Sequence, residues 1–289
     1  MRSLNEILLP IEFSPRCADV ARYAAGVARQ FQSKITLLHV LPPINWTAMG
    51  EAALVADILE NQRQETCHRL DGFLTQELQG LAVDRLVCEG DAAETIAEYC
   101  AANQVGLVMM PTRGCSGFRR FLLGSVTAKI LHDVHCPVWT SSHVTDGRAA
   151  VSVIPKVIVC AVDPTPEGAA VLHWASDLAS DLQARLVVAS AIPSLEVHPE
   201  TYYLEADMRR TLIGDAHARI SQALQGGPTP AAEIRVEGGS VSTVVRSVVE
   251  DSRADLLIIG RASGKGIVGR LRTHSYALIR ESPCPVISI

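Results

Sequence analysis

Apolar residues fall along this chain in two alternating rhythms. Short runs rich in branched residues, such as Ile7-Leu-Leu, Ile35-Thr-Leu-Leu-His-Val40 and Leu107-Val-Met-Met110, have the length and make-up of buried strands. Between them apolar residues recur three and four positions apart. Val20, Ala24, Val27, Ala28 and Phe31 line one face of a helix in this way. Ser14-Pro15 marks where that helix begins, with a hydroxyl at the N-cap and proline at the first helical position.

The same passage occurs twice. Ile158-Val-Cys-Ala-Val-Asp163 ends in an acid as Ile7–Glu12 does, and Thr165-Pro166 follows as Ser14-Pro15 does. From Ser14 to Thr165 the offset is 151 residues, and Val171, Ala175, Leu178, Ala179 and Leu182 keep it. Second strands follow at Ile35–Val40 and Leu186–Ala191. Long polar helical stretches come next, with Gly80 and Gly226 predicted as their C-caps. Then come Leu86–Gly90 and Ile234–Gly238, helices over Ala92–Asn103 and Val241–Asp251, and strands at Leu107–Met110 and Leu256–Ile259. Each half closes with a glycine loop, a helix and Cys-Pro-Val, at Cys136 and at Cys284. The polar segment Thr145–Ser152, with the turn signal Asp146-Gly147, divides them.

The pattern predicts two tandem α/β domains, residues 1–144 and 153–289. Each is a doubly wound, Rossmann-like, five-stranded parallel sheet with helices on both faces, because parallel strands need helical crossovers. Ligands of such sheets sit beyond the carboxyl ends of the strands. In the first half that edge holds Glu12–Ser14, Val40–Leu41 and the loop after Met110. In the second it holds Asp163–Thr165, Ala191–Ile192 and the loop after Ile259.

Composition narrows the picture. The 289 residues are 48% hydrophobic and 20% charged, enough for packed cores and unlike a disordered chain. No apolar run has the 18 or more residues of a membrane span. The first residues, Met1–Glu6, carry no apolar stretch of signal-peptide length, so the expectation is a cytoplasmic protein. A net charge of −5 argues against nucleic acid or an anionic membrane as the main partner. Eight cysteines without a C-x-x-C pair read as reduced thiols, most of them in apolar runs. Arginine outnumbers lysine 22 to 4, which suits phosphate but equally reflects source composition.

Candidate chemistry gathers in the loop Pro111-Thr-Arg-Gly114-Cys-Ser-Gly117-Phe-Arg-Arg-Phe-Leu-Leu-Gly124-Ser125-Val126. Gly114 and Gly117 permit close backbone approach. Gly124-Ser125 opens the last helix, where free N–H groups and the helix dipole suit a phosphate. Arg113, Arg119 and Arg120 add positive charge. The counterpart Gly260-Arg-Ala-Ser263-Gly-Lys-Gly-Ile-Val-Gly-Arg-Leu-Arg-Thr273 is also basic.

These residues resemble the universal stress protein family, with two copies covering nearly the whole chain. Its nucleotide-binding members carry Gly, two residues, Gly, nine residues, then Gly-Ser or Gly-Thr. Gly114, the nine residues Cys115–Leu123 and Gly124-Ser125 match the later parts, while Pro111 stands at the first glycine. The resemblance implies an acid approaching the ribose at Glu12, in place of Asp, and Val40 and Met110 flanking adenine. Gly114, Gly124, Ser125 and Val126 would surround the phosphates, with the charge of Arg113 nearby. In the second half Asp163 and Gly260 match, Ser263 replaces the second glycine, and Thr273-His274 replaces Gly-Ser. The implied ligand is ATP or AMP; a separate reading, slow ATP hydrolysis or phosphotransfer, would place Mg2+ on the carboxylate of Glu12 or Asp163. Paired last strands, Pro137–Ser141 and Pro285–Ile289, would make an intramolecular pseudo-dimer, and two chains would pair further as a homodimer.

Competing motifs are weaker. Gly264-Lys-Gly266-Ile-Val-Gly269 has the dinucleotide spacing, but only 20 residues follow it, too few for the helix, strand and acid required. A P-loop needs four residues between glycines where Gly260 and Gly264 have three. His132-Asp-Val-His135-Cys136 reads as a polar helix end beside a core thiol rather than a metal site. His39 reads as a packed or capping histidine, with Ser190 as its repeat partner. Cys115, in the glycine loop, is the thiol most exposed by its context. No acid–base or nucleophilic constellation emerges, so the expected function is nucleotide-binding regulation in stress rather than catalysis. The first half is favoured as the site. The alternative is a protein-interaction module that has lost the nucleotide.

Overall fold

The apolar runs become strands, the central ones buried on both faces and those at Val83–Glu89 and Glu233–Gly238 half-buried, and the periodic segments become helices that cover them. The computed structural model describes residues 4–43, 52–112, 123–141, 154–192, 202–225, 232–261 and 274–289. The chain divides into two compact units between Trp139 and Thr140.

In the first half β1 (Glu6–Pro10), α1 (Pro15–Phe31), β2 (Lys34–Leu41), α2 (Ala52–Gly72) and β3 (Val83–Glu89) lead to α3 (Ala92–Asn103) and β4 (Leu107–Pro111). Helix α4 (Ser125–Asp133) and strand β5 (Val138–Ser141) complete it, and the sheet order is β3-β2-β1-β4-β5. The pairing is parallel, with Ile7 opposite both Ile35 and Leu107. Ile7 and Leu8 are fully buried, as a strand covered on both faces requires. Cys17, Val20, Ala21, Ala24 and Ala28 form the inner face of α1, where small side chains let the helix lie close to the sheet.

The second half repeats the plan with β6 (Val157–Ala161), α5 (Pro166–Asp181), β7 (Arg185–Ile192), α6 (Tyr202–Leu224) and β8 (Glu233–Gly238). It continues through α7 (Val241–Ser252), β9 (Leu256–Ile259), α8 (Ser275–Glu281) and β10 (Val286–Ser288), in the order β8-β7-β6-β9-β10. Three helices start on the side-chain caps their sequences offer. Asp91 accepts from the Glu94 amide at 3.0 Å, Thr165 from Gly168 at 3.2 Å and Ser240 from Thr243 at 3.3 Å.

One local expectation is corrected. Helix α2 ends at Gly72, not at the Gly80 cap, and residues 73–80 run as turns. Leu74 takes a left-handed φ of 56°, and the Arg85 guanidinium of β3 donates to the carbonyls of Leu70 and Phe73 at 3.0 and 3.4 Å. A strand residue thus satisfies the Leu70 carbonyl in the last helical turn and the Phe73 carbonyl just beyond it, where the helix ends. At Ser14 the expected helix start is met, and only the side-chain bond is missing: Ser14 occupies the N-cap of α1, yet its hydroxyl makes no capping bond to the helix.

Candidate functional site

At the first half's carboxyl edge, Ser14 donates its hydroxyl to Glu12 Oε1 at 2.8 Å, and α1 starts with no side-chain cap. Glu12 is exposed, and the residue between the two, Phe13, sits at a left-handed φ of 59°. That turn brings the Phe13 ring to 4.7 Å from the His39 ring and 5.1 Å, edge-on, from Phe73. Arg69 Cζ lies 4.1 Å over its centroid, a cation–π arrangement. His39 Nδ1 is 2.7 Å from the Ile11 carbonyl, so that nitrogen carries the proton and donates it. His39 is therefore a packed, hydrogen-bonded residue.

Val40 is half-buried in β2 and Met110 is buried in β4, on either side of β1. Helix α4 begins at Gly124, whose N–H donates to the Thr112 carbonyl at 3.0 Å, and Thr127 Oγ1 donates to the Pro111 carbonyl at 3.3 Å. These two bonds fix the helix against the end of β4. No side chain caps it, and Ser125 and Val126, its first two residues, are exposed. The fold thus brings Glu12, Val40, Met110, Gly124, Ser125 and Val126 to one edge of one sheet. Arg113 and Gly114 lie outside the described residues, as do Cys115, Ser263 and Thr273.

In the second half Asp163 follows β6, half-buried, and Gly260 follows β9, buried. The segment between β6 and α5 differs from its counterpart. Thr165 N–H donates back to the Asp163 carbonyl at 2.8 Å, a three-residue turn centred on Pro164. A Cβ on Gly168 would stand 2.0 Å from that carbonyl, so the turn packs on the helix only because residue 168 is glycine.

Among the described residues no group of three His, Cys, Asp or Glu could hold a metal ion. His132 Nδ1 lies 2.8 Å from its neighbour Asp133 Oδ1. The seven described cysteines are unbridged, and burial pushes the Cys160 thiol far above its ordinary range, which leaves it inert. Reading the sequence missed the Phe13–His39–Phe73–Arg69 cluster. Its signals were Arg69 and Phe73 spaced four apart around the end of the second helix, and an aromatic between the acid and the hydroxyl.

A parallel sheet of order 3-2-1-4-5, with its loops gathered beside an uncapped helix terminus, defines a doubly wound α/β protein with its ligand edge at the strand ends. The chain belongs to the Universal stress protein family, whose model matches residues 4–141 and again 155–289. A universal stress protein of Mycolicibacterium smegmatis is 25% identical over 287 residues, 96% of this chain and 93% of its own. One from Methanocaldococcus jannaschii is 27% identical over 137 residues, 46% of this chain and 79% of its own. The crystal structure of a universal stress protein from Archaeoglobus fulgidus superposes with a TM-score of 0.68 at 22% identity, covering 100% of this chain and 98% of that one. That likeness shows the fold.

Proposed function

We propose that the protein is a cytoplasmic regulator of the stress response that binds an adenine nucleotide, ATP or AMP, at the carboxyl edge of its first half. The observation that supports this best is the start of α4: uncapped, with the small residues Gly124 and Ser125 leading. Its first amides suit a phosphate chain. Val40 and Met110 supply apolar walls for the base, and Arg113 and Gly114 belong to the same loop by sequence. Asp163 and Gly260, with Ser263 and Thr273, form a partial counterpart in the second half. Among the described residues no helix is long and apolar enough to cross a membrane. The described residues offer no ligand cluster for a resident Mg2+, and Glu12 already accepts the Ser14 hydroxyl. A magnesium ion on this reading arrives with the nucleotide. The role is regulatory rather than catalytic.

Gly124→Asp tests the site. A carboxylate at the helix start meets the phosphates with like charge, so ATP and AMP binding by calorimetry is expected to vanish. Unchanged binding would place the site elsewhere. The bond from Ser14 to Glu12 favours a second reading, a protein-interaction module without nucleotide, because the acid that would meet the ribose is held by its own loop. On that reading the wild-type protein carries no nucleotide when purified and denatured for mass spectrometry.

A further inference from the structure

One space is filled in the first half and open in the second. In the first, Phe13 turns into the gap between the start of α1 and the end of α2, under Arg69 and against Phe73. Its counterpart at the offset of 151 is Pro164. Proline holds φ near −65°, so the left-handed turn of Phe13 is closed to it, and it carries no ring to insert. At the end of the second helix of each half, Arg69 and Leu70, with Phe73 one residue past the helix, recur at the same spacing as Arg219, Ile220 and Ala223. Leu70 and Ile220 are both buried, at 1% and 2% exposure, which fixes the match of the two helix faces. The second half therefore keeps the arginine and the aliphatic floor and lacks both phenyl rings.

What remains is a cavity of about 260 Å3 between the β6–α5 segment and α6. Val162, Pro164, Leu172, Ile220 and Ala223 give it apolar walls, and Arg219 stands at its rim. Arg219 forms no ion pair among the described residues. Ala191, Ile259 and Gly260, at the ligand edge of the same half, take no part in its lining. It meets that edge at Asp163, Pro164 and Thr165, and extends from there toward Arg219, Ile220 and Ala223 of α6.

We propose that this cavity binds a small aromatic molecule, whose ring takes the place that Phe13 fills in the first half and lies beneath the Arg219 guanidinium. The first half supplies the internal precedent, a ring held by an arginine at 4.1 Å. An apolar cavity of about 150 Å3 accepts a benzene ring, so this one has room for a fused two-ring ligand. The Asp163 wall disfavours an anionic ligand and suits a neutral ring that carries a hydrogen-bond donor, as indole and phenol do.

Indole is the probe, titrated into the full chain by calorimetry and followed in parallel by thermal shift. The expected result is saturable binding at one site per chain. Ala223→Phe restores the counterpart of Phe73, which in the first half packs edge-on against the Phe13 ring, and is expected to tighten indole binding about threefold to tenfold without lowering the melting temperature of the unliganded protein. Arg219→Leu, at an exposed position that leaves the fold intact, is expected to weaken it by about threefold to tenfold through loss of the cation–π contact. Gly124→Asp is expected to bind indole as the wild type does, which separates this site from the first-half nucleotide site of the proposed function. No saturable binding to the wild type, or affinity unchanged in both Ala223→Phe and Arg219→Leu, would overturn the proposal.

Discussion

The same substitution, glycine to alanine, is expected to act in opposite directions at two helical positions of the second half. Gly168 lies in the first turn of α5, and a Cβ there would stand 2.0 Å from the Asp163 carbonyl oxygen, where 3.4 Å is the start of ordinary contact. The obstacle is backbone, so the turn through Pro164 must retreat by more than 1 Å. That strains the bond from Thr165 N–H to Asp163 and the Thr165 cap on the Gly168 amide. Forced overpacking costs about 1–3 kcal/mol and a lost N-cap about 1 kcal/mol, against a helix-propensity gain of about 1 kcal/mol. Gly168→Ala is therefore expected to destabilise by about 1–3 kcal/mol. Gly214, inside α6, has nothing within 4 Å of its would-be Cβ, so Gly214→Ala keeps only the propensity gain of up to about 1 kcal/mol. Urea unfolding followed by circular dichroism measures both. The readout is the midpoint of each transition, since two units need not unfold together. A Gly168→Ala protein as stable as the wild type would refute the reasoning, because it would mean that the turn yields at no cost.

Two further expectations rest on capping and charge. Ser240→Ala removes the oxygen that accepts the Thr243 amide at the start of α7 and should cost about 1 kcal/mol, seen as a melting temperature lower by about 2–4 °C; no change would mean that water replaces the cap. The amide of Glu94, and then the Lys129 ammonium, hold the Asp91 carboxyl below its usual range. Because the folded value lies below the unfolded one, the benefit is complete above about pH 4 and fades as pH falls through the folded value. Asp91→Asn should therefore flatten the acid limb of a plot of melting temperature against pH, and an unaltered limb would count against the assignment.

The contrast between the halves shows how one residue redirects a loop. Phe13 and Pro164 occupy equivalent places between an acid and a hydroxyl residue. With phenylalanine the backbone turns left-handed, the hydroxyl of Ser14 falls to Glu12, and the helix starts uncapped. With proline the backbone makes a three-residue turn instead, and Thr165 is free to cap α5. A left-handed non-glycine residue costs about 1–2 kcal/mol, offset here by the ring's contacts with His39, Phe73 and Arg69.

The sequence by itself determined the type and order of the elements, because hydrophobic period and capping signals are local. The helix over Ala92–Asn103 and the strand over Leu256–Ile259 match to the residue, and the repeat announced two copies of one plan. Gly124-Ser125 was legible as a helix start for the same reason. Only the tertiary structure decided where α2 stops, since the arginine that takes the carbonyls of Leu70 and Phe73 at its end comes from a neighbouring strand. It alone decided the fate of the Ser14 hydroxyl and the filling of one groove but not the other. Phe13 meets His39, Arg69 and Phe73 across gaps of 26 to 60 residues, and no local pattern encodes whether a ring turns inward or a cavity is left. Contacts of that kind depend on how the helices lie on the sheet, which the folded chain settles as a whole.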